Sequence, residues 1–284
     1  MSRKRIFQVF NDIIVIIVIG IAFFLVNFYV KPSERGFYCN DNDILYPLLP
    51  DIVPAYAVGL FAILGTIVFI VLVEFLNVER FGDDKNRKHF ITSVYHGISL
   101  FALGLSITML LTEIGKRWIG RLRPHFISVC NPDFKDINCT LPFNSFTQVL
   151  KYIDTSGSFC RGDSSLITEA RLSFPSGHSS TSFYAMVFLI IYIQARVTTL
   201  KLRFVKVFVQ LIAFSAAYLT SISRVKDYHH RGSDVIGGAV LGALIAVFVL
   251  FVIGKVIWLY NRKNPIYEFE SESNQISEQE TLYA

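Results

Sequence analysis

The sequence predicts an all-α, polytopic membrane protein with six transmembrane helices. Three observations predict it. Of the 284 residues, 52% are hydrophobic and the mean hydropathy is +0.47, an excess that soluble domains rarely reach. Six runs without Asp, Glu, Lys or Arg occupy residues 13–30, 52–73, 90–112, 179–195, 207–222 and 235–254, and a helix needs about 20 apolar residues to cross a bilayer core of about 30 Å. Basic residues collect in alternate connections between these runs, the charge asymmetry of a multi-pass chain.

The first predicted helix, 13–30, follows a short tail (residues 1–12) that carries Arg3, Lys4 and Arg5. It is long for the apolar part of a signal peptide and no small-x-small cleavage pattern follows, so it is predicted to be retained. The connection to helix 2 holds only Lys31 and Arg35, whereas Arg80, Lys85, Arg87 and Lys88 lie between helices 2 and 3. After helix 3 comes a long loop, 115–174. Helices 4 and 5 are short unless Gly177, His178 and Phe204 join them, and Arg196, Lys201, Arg203 and Lys206 connect them. Arg262 and Lys263 follow helix 6. This pattern puts both termini in the cytosol and bounds one membrane domain at 13–260. The tail at 261–284 is acidic and polar and is predicted to be disordered; its Asn264-Pro265-Ile266-Tyr267 resembles an endocytic sorting signal. The net charge of +5 belongs to the cytosolic loops and does not indicate nucleic-acid binding.

Cysteine usage supports the same topology. Cys39, Cys130, Cys139 and Cys160 all fall in the first or third loop, on the predicted outer face. An even set confined to an oxidising face suggests one or two disulfides, with the connectivity open. Asn138-Cys139-Thr140 is an N-glycosylation acceptor pattern on that face.

Three polar fragments flank the apolar runs: Lys116-x6-Arg123-Pro124, Pro175-Ser176-Gly177-His178 and Ser223-Arg224-x5-His230-x3-Asp234. They adjoin the end of helix 3, the start of helix 4, the end of helix 5 and the start of helix 6. Because each helix crosses once, parity places all four ends on one membrane face, the outer one. Lys116 and Arg123, seven apart, would lie about 10 Å apart on one face if the helix continued to Pro124. Ser176 suits an N-cap, and a helix N-terminus with Gly177 offers free N–H groups to a phosphate. His230 and Asp234 are neighbours if their segment is helical, so that the carboxylate holds one imidazole nitrogen protonated and leaves the other free to attack.

Each residue taken singly has a plainer reading. Lys116, Arg121, Arg123 and Arg224 could be snorkelling anchors, His178 a packed polar residue, and His229 with His230 a solvated pair. The joint pattern outweighs these: three cations, two histidines and a carboxylate suit phosphoryl transfer through a phosphohistidine with no metal and no cofactor. His96, within helix 3, is read as a hydrogen bonder of the bundle interior, and Glu113 as a partner for Lys116.

These fragments resemble the three signature motifs of the type-2 phosphatidate phosphatase superfamily at every motif position. Gly36-Phe37-Tyr38-Cys39-Asn40-Asp41, Gly120-Arg121-Leu122-Arg123-Pro124-His125-Phe126, the Asn138 sequon and the six-helix layout are similar to those of animal lipid phosphate phosphatases. The resemblance implies a magnesium-independent membrane phosphatase, most simply in the plasma membrane, with its site facing outward or into a lumen. It implies substrates such as phosphatidate, lysophosphatidate, ceramide 1-phosphate and sphingosine 1-phosphate, and oligomers like those of relatives, of which the sequence itself bears no sign. In this reading His178, His230 and Asp234 are catalytic, and Lys116, Arg123, Ser176, Gly177 and Arg224 bind phosphate. Rival functions are a lipid phosphotransferase, a phosphatase for a soluble ester, and a non-enzymatic membrane protein with a relic site.

Overall fold

A computed structural model describes residues 3–39, 41–77, 84–133, 152–155 and 159–254. Within them the chain is helical apart from connecting loops and two short strands. α1 (Arg3–Tyr29) contains the first apolar run. α2 (Ala55–Leu60) continues through a π turn, Phe61–Gly65, into α3 (Thr66–Leu76) as one unbroken rod. α4 (Asp84–Ile119) is the third predicted helix, and Lys85, Arg87 and Lys88 form its first turns rather than a loop. Two short helices, α5 (Phe126–Cys130) and α6 (Ser164–Glu169), lie in the long loop. α7 (Gly177–Arg196), α8 (Arg203–Lys226) and α9 (Gly232–Phe248, then a π turn to Ile253) complete the set.

Five of these segments are long and apolar enough to cross a membrane: Val9–Tyr29, Ala55–Leu76, Arg87–Ile119, Leu200–Lys226 and Gly232–Ile253. α7, the fourth predicted helix, is 20 residues long, about 30 Å. Its sequence opens on Gly-His-Ser-Ser-Thr-Ser and so lacks the hydropathy of a lipid-facing span. Packing explains this composition. α7 is the central helix, enclosed by α4, α8, α9 and the α2–α3 rod, and its Tyr184, Phe188, Leu189 and Tyr192 are buried with Phe101 of α4 in the main core. The outer faces of α1, α8 and α9 instead expose Ile, Phe, Leu and Val, as a hydrocarbon solvent requires.

The tightest seam runs between α7 and α9. A Cβ on Gly238 would lie 2.4 Å from the Ser176 carbonyl oxygen, and one on Gly242 would lie 2.2 Å from that of Ser180. Two glycines one turn apart thus let the backbones touch, the small-residue packing of membrane helices. Towards the opposite end, buried Glu74 of α3 accepts from Tyr192 (2.6 Å) and pairs with Arg196 of α7. On α1, Asp12 accepts from Tyr95 of α4 at 2.8 Å.

Over the site end of the bundle lies a small cap. β1 (Phe37–Tyr38) pairs antiparallel with β2 (Tyr152–Ile153). Cys130 and Cys160 form a disulfide, and Cys39 is disulfide-bonded too. Phe37, Ile44, Leu122, Phe126 and Ile153 make a second apolar cluster. Asn138 and the Asn264–Tyr267 motif lie outside the described residues. His96 does not hold the bundle interior: it is exposed on α4, edge-on to the Tyr95 ring.

Candidate active site

The four ends that parity grouped do meet. Lys116 lies in the last turn of α4, its Nζ 2.6 Å from Glu113 Oε1. That nitrogen also reaches the start of α7, only 3.2 Å from where a Gly177 Cβ would stand. The helix does not continue to Pro124. Gly120 adopts φ +58° with the Ser33 carbonyl oxygen 2.1 Å from its notional Cβ, so the chain turns away there, as only glycine readily does. Arg123 therefore does not share a helix face with Lys116. It is held on an irregular loop by its own N–H to the Ala170 carbonyl (2.8 Å), and its guanidinium donates to Glu169 (3.0 Å).

α7 begins where predicted. Ser176 is its N-cap, accepting from the Ser179 N–H at 3.5 Å, and the Ser176 N–H donates to the Asp234 carbonyl of α9 (3.0 Å). This bond ties the second fragment to the third. The Ser176 hydroxyl is fully buried and turned into its cap. Two residues on, His178 Nε2 lies 3.0 Å from the Val53 carbonyl oxygen and 3.4 Å from Arg224 Nη1.

Arg224, 1% exposed, ends α8 between two carboxylates: it pairs with buried Asp227 and donates to Asp51 at 2.7 Å. The chain then reverses through Tyr228 at φ +57°, and the N–H groups of His229 and His230 both donate to the Arg224 carbonyl (3.2 and 3.0 Å). Both histidines are thus fixed to the backbone of the arginine. His230 is buried, with Nδ1 4.0 Å from Asp234 Oδ2. This is close approach rather than a hydrogen bond, because Asp234 already accepts from Ser173 (2.6 Å), Arg121 (2.6 Å) and the Arg231 N–H (2.9 Å).

Electrostatics report the same convergence. Burial first, then the charges of Arg123 and Lys116 and the rings of His178 and His229, push the His230 imidazole well below its ordinary pKa of 6.5. It is therefore a free base at neutral pH, the form a nucleophile needs. Burial, with Arg123, His125 and Arg224, lowers His229 to about 4. Burial raises the Asp51 carboxyl, but the Arg224 hydrogen bond and charge together with His229 and His178 outweigh it, and Asp51 stays below the usual carboxylate range. Arg123 Nε, Arg224 Nε and His230 Nδ1 are buried with no partner among the described residues.

Asp51, Asp227 and His229 place ligand atoms within 4.8 Å of one another, the spacing of a cation site. Arg224 sits between the two carboxylates and supplies that positive charge itself, so the donor set fits a guanidinium better than a metal ion. Asp51, Asp227, Glu169 and Ser173 were not read from the sequence, and Arg121 was read only as an anchor and motif residue, not as a partner of Asp234. Asp227 could have been found, since it follows Arg224 by three in a helix. Asp51 and Glu169 reach the site only through loop folding.

Comparison with known proteins decides the family. The PAP2 superfamily profile matches residues 97–258, from mid-α4 through α9, and so contains all three fragments. The chain belongs to the PAP2 superfamily. Phospholipid phosphatase 2 of Homo sapiens is 34% identical over 252 residues, 88% of this chain and 83% of its own. Phospholipid phosphatase 1 of Rattus norvegicus is 34% identical over 255 residues, 89% and 86% respectively. No solved structure matches the chain significantly. Membership confirms the resemblance read from the three fragments, and the polytopic all-α membrane fold read from the apolar runs. In this PAP2 member the family match leaves out α1 and the α2–α3 rod, the part that supplies Asp51 and Val53 to the site.

Proposed function

We propose that the chain is a metal-independent lipid phosphate phosphatase working through a phosphohistidine at His230. The observation that carries this reading is a buried, neutral imidazole set among Arg123, Lys116 and His178. The two nearby arginines keep unspent Nε–H donors. A dianionic phosphate supplies what these groups lack.

Lys116, Arg123 and Arg224 hold the phosphate, with the Gly177 N–H and the positive N-terminus of α7 adding donors. In the free site each cation rests on a carboxylate: Glu113, Glu169, and Asp51 with Asp227. Phosphate takes the place of the more exposed of these. Asp234 faces His230 Nδ1, which leaves Nε2 to attack phosphorus. The P–O ester bond breaks as the N–P bond forms, and His178, which takes up a second proton from the bound phosphate monoester, gives that proton to the leaving alkoxide. His178 then takes a proton from water, whose oxygen displaces His230 and releases inorganic phosphate. Asp234 and Ser176 act by position, the first orienting His230, the second holding the start of α7.

Leaflet, topology and substrates follow from the same reading. The basic first turns of α4 and α8 lie at the bundle end opposite the site, and a disulfide lies on the site face. That asymmetry supports cytosolic termini and a site on the extracellular or lumenal side; the plasma membrane is the location proposed. Phosphatidate, lysophosphatidate, ceramide 1-phosphate and sphingosine 1-phosphate presented in that leaflet are the substrate class; homo-oligomers, glycosylation at Asn138 and a membrane domain of 13–260 complete the proposal. The test is phosphate release from a panel of these lipids by membranes carrying wild type or His230→Ala. Turnover should vanish in the variant at equal expression and survive EDTA in the wild type. Substantial activity in His230→Ala would remove the nucleophile from this scheme.

A further inference from the structure

Beside His178 a cleft of about 190 Å³ opens between the α2–α3 rod, α7 and α8. Its rim is Val53, whose carbonyl oxygen lies 3.0 Å from His178 Nε2. Its walls are Ala57, Phe61 and Ala62 on the rod, Ser182 and Met186 on α7, and Ala216 on α8. Ser182 is one turn below His178 on the same face of α7, and its hydroxyl is turned back onto the His178 carbonyl (2.7 Å). The wall presented to the cleft is consequently apolar except at Thr220 of α8. Small residues on the rod and α8 create the space, and the π turn at Phe61–Gly65 displaces one wall, a device frequent at functional sites.

Resting on the phosphatase reading, we propose that this cleft holds the start of the leaving alcohol's hydrocarbon chain, with Ala216 and Met186 setting how much of it fits. The general acid must stand beside the leaving oxygen. Whatever that oxygen carries leaves the site on the side of His178, and the cleft begins there. It lies between three helices of the membrane domain and meets the site at Val53, so a chain seated in it would be screened from water. Its volume is about six times a water's share of liquid, the bulk of a stretch of one chain. The occupant is one alkyl chain of a phosphate monoester; a second acyl chain stays in the bilayer.

The test uses the full chain in nanodiscs, wild type, Ala216→Leu and Met186→Ala. Ala216 is only partly buried, so the larger side chain enters the cleft rather than the core. Affinities for ethyl-, butyl-, octyl- and decylphosphonate are measured by calorimetry, and phosphate release from the matching alkyl phosphates by kcat/KM. For Ala216→Leu the wild-type advantage should grow about tenfold from ethyl to octyl, and Met186→Ala should shift preference towards decyl by about fourfold, the effect of one methylene. Partitioning into the disc is common to all three proteins and cancels in the ratios. Ratios flat across chain length for both variants would overturn the proposal and leave the cleft to bilayer lipid that does not react. The two readings fail separately. Phosphate release with flat ratios sinks the cleft alone, whereas chain-dependent phosphonate binding without phosphate release sinks the phosphatase and leaves the cleft.

Discussion

Replacing Gly242 with alanine tests how the site is assembled without touching a residue that meets phosphate. The new methyl would lie 2.2 Å from the Ser180 carbonyl oxygen and 2.8 Å from the Tyr184 nitrogen, both backbone atoms that no rotamer change can move. Ordinary contact begins at 3.4 Å, so α7 and α9 must part by about 1 Å. Overpacking of this kind costs about 1–3 kcal/mol, tolerable for the fold. The site suffers more. His178 is in the first turn of α7, and His230 and Asp234 flank the start of α9, so the separation falls directly between proton donor and nucleophile. A displacement of about 1 Å costs about a hundredfold in rate. The assay is phosphate release per folded molecule, with size-exclusion behaviour as the folding control and Gly20→Ala, at a position open to its surroundings, as the comparison. Wild-type turnover in a folded Gly242→Ala protein would refute the argument that this seam sets the distance between the two histidines.

Asp51→Asn removes a carboxylate that rests on Arg224 where phosphate is proposed to bind. The pair is partly exposed, with Asp51 side-chain exposure at 39%, and such a pair is worth about 1 kcal/mol, so vanadate should inhibit the variant about fivefold more tightly; weaker inhibition would mean that Asp51 positions Arg224 instead. His229, held at about 4 against 6.5 in the unfolded chain, binds its proton more readily once unfolded. Stability is therefore present above pH 6.5 and is lost as pH falls towards 4, by about 3 kcal/mol in all. Unfolding midpoints against pH should fall less steeply in His229→Gln, and an unchanged slope would dismiss the histidine as the cause. Glu74→Ala leaves Arg196 unpaired beside Tyr192 and should cost about 3–5 kcal/mol, seen as a lowered melting temperature; a shift near zero would show the pair to be solvated.

What the sequence revealed follows from which physics is local. Apolar runs act within a segment, so six long helices could be read directly. Parity is a topological consequence, and it brought Lys116, His178, Arg224 and His230 to one face without any distance. Gly120 is the one local sign of the break within the Lys116–Arg123 fragment; the packing of Ser33, 87 residues away, against it is not legible there. Asp51 is invisible for the same reason, since its partner Arg224 is 173 residues distant. The exposed His96 was misread because polarity inside an apolar run does not reveal which way the helix turns it.

The composition of α7 unites these points. A helix surrounded by lipid must be apolar all round, because the bilayer offers no partner to a hydroxyl. One surrounded by protein is released from that demand, since neighbours satisfy its polar groups: Ser180 accepts from Thr112 at 2.9 Å, and Tyr184 donates to the Phe101 carbonyl at 2.7 Å. The weak hydropathy of 177–196 therefore reports position as well as length, marking the one helix enclosed by the others. Only such a helix can carry Ser176, Gly177 and His178 into the bundle end where helices α4, α8 and α9 deliver their cations and second histidine. In this chain the segment least like a membrane span is the one that the membrane bundle is built around.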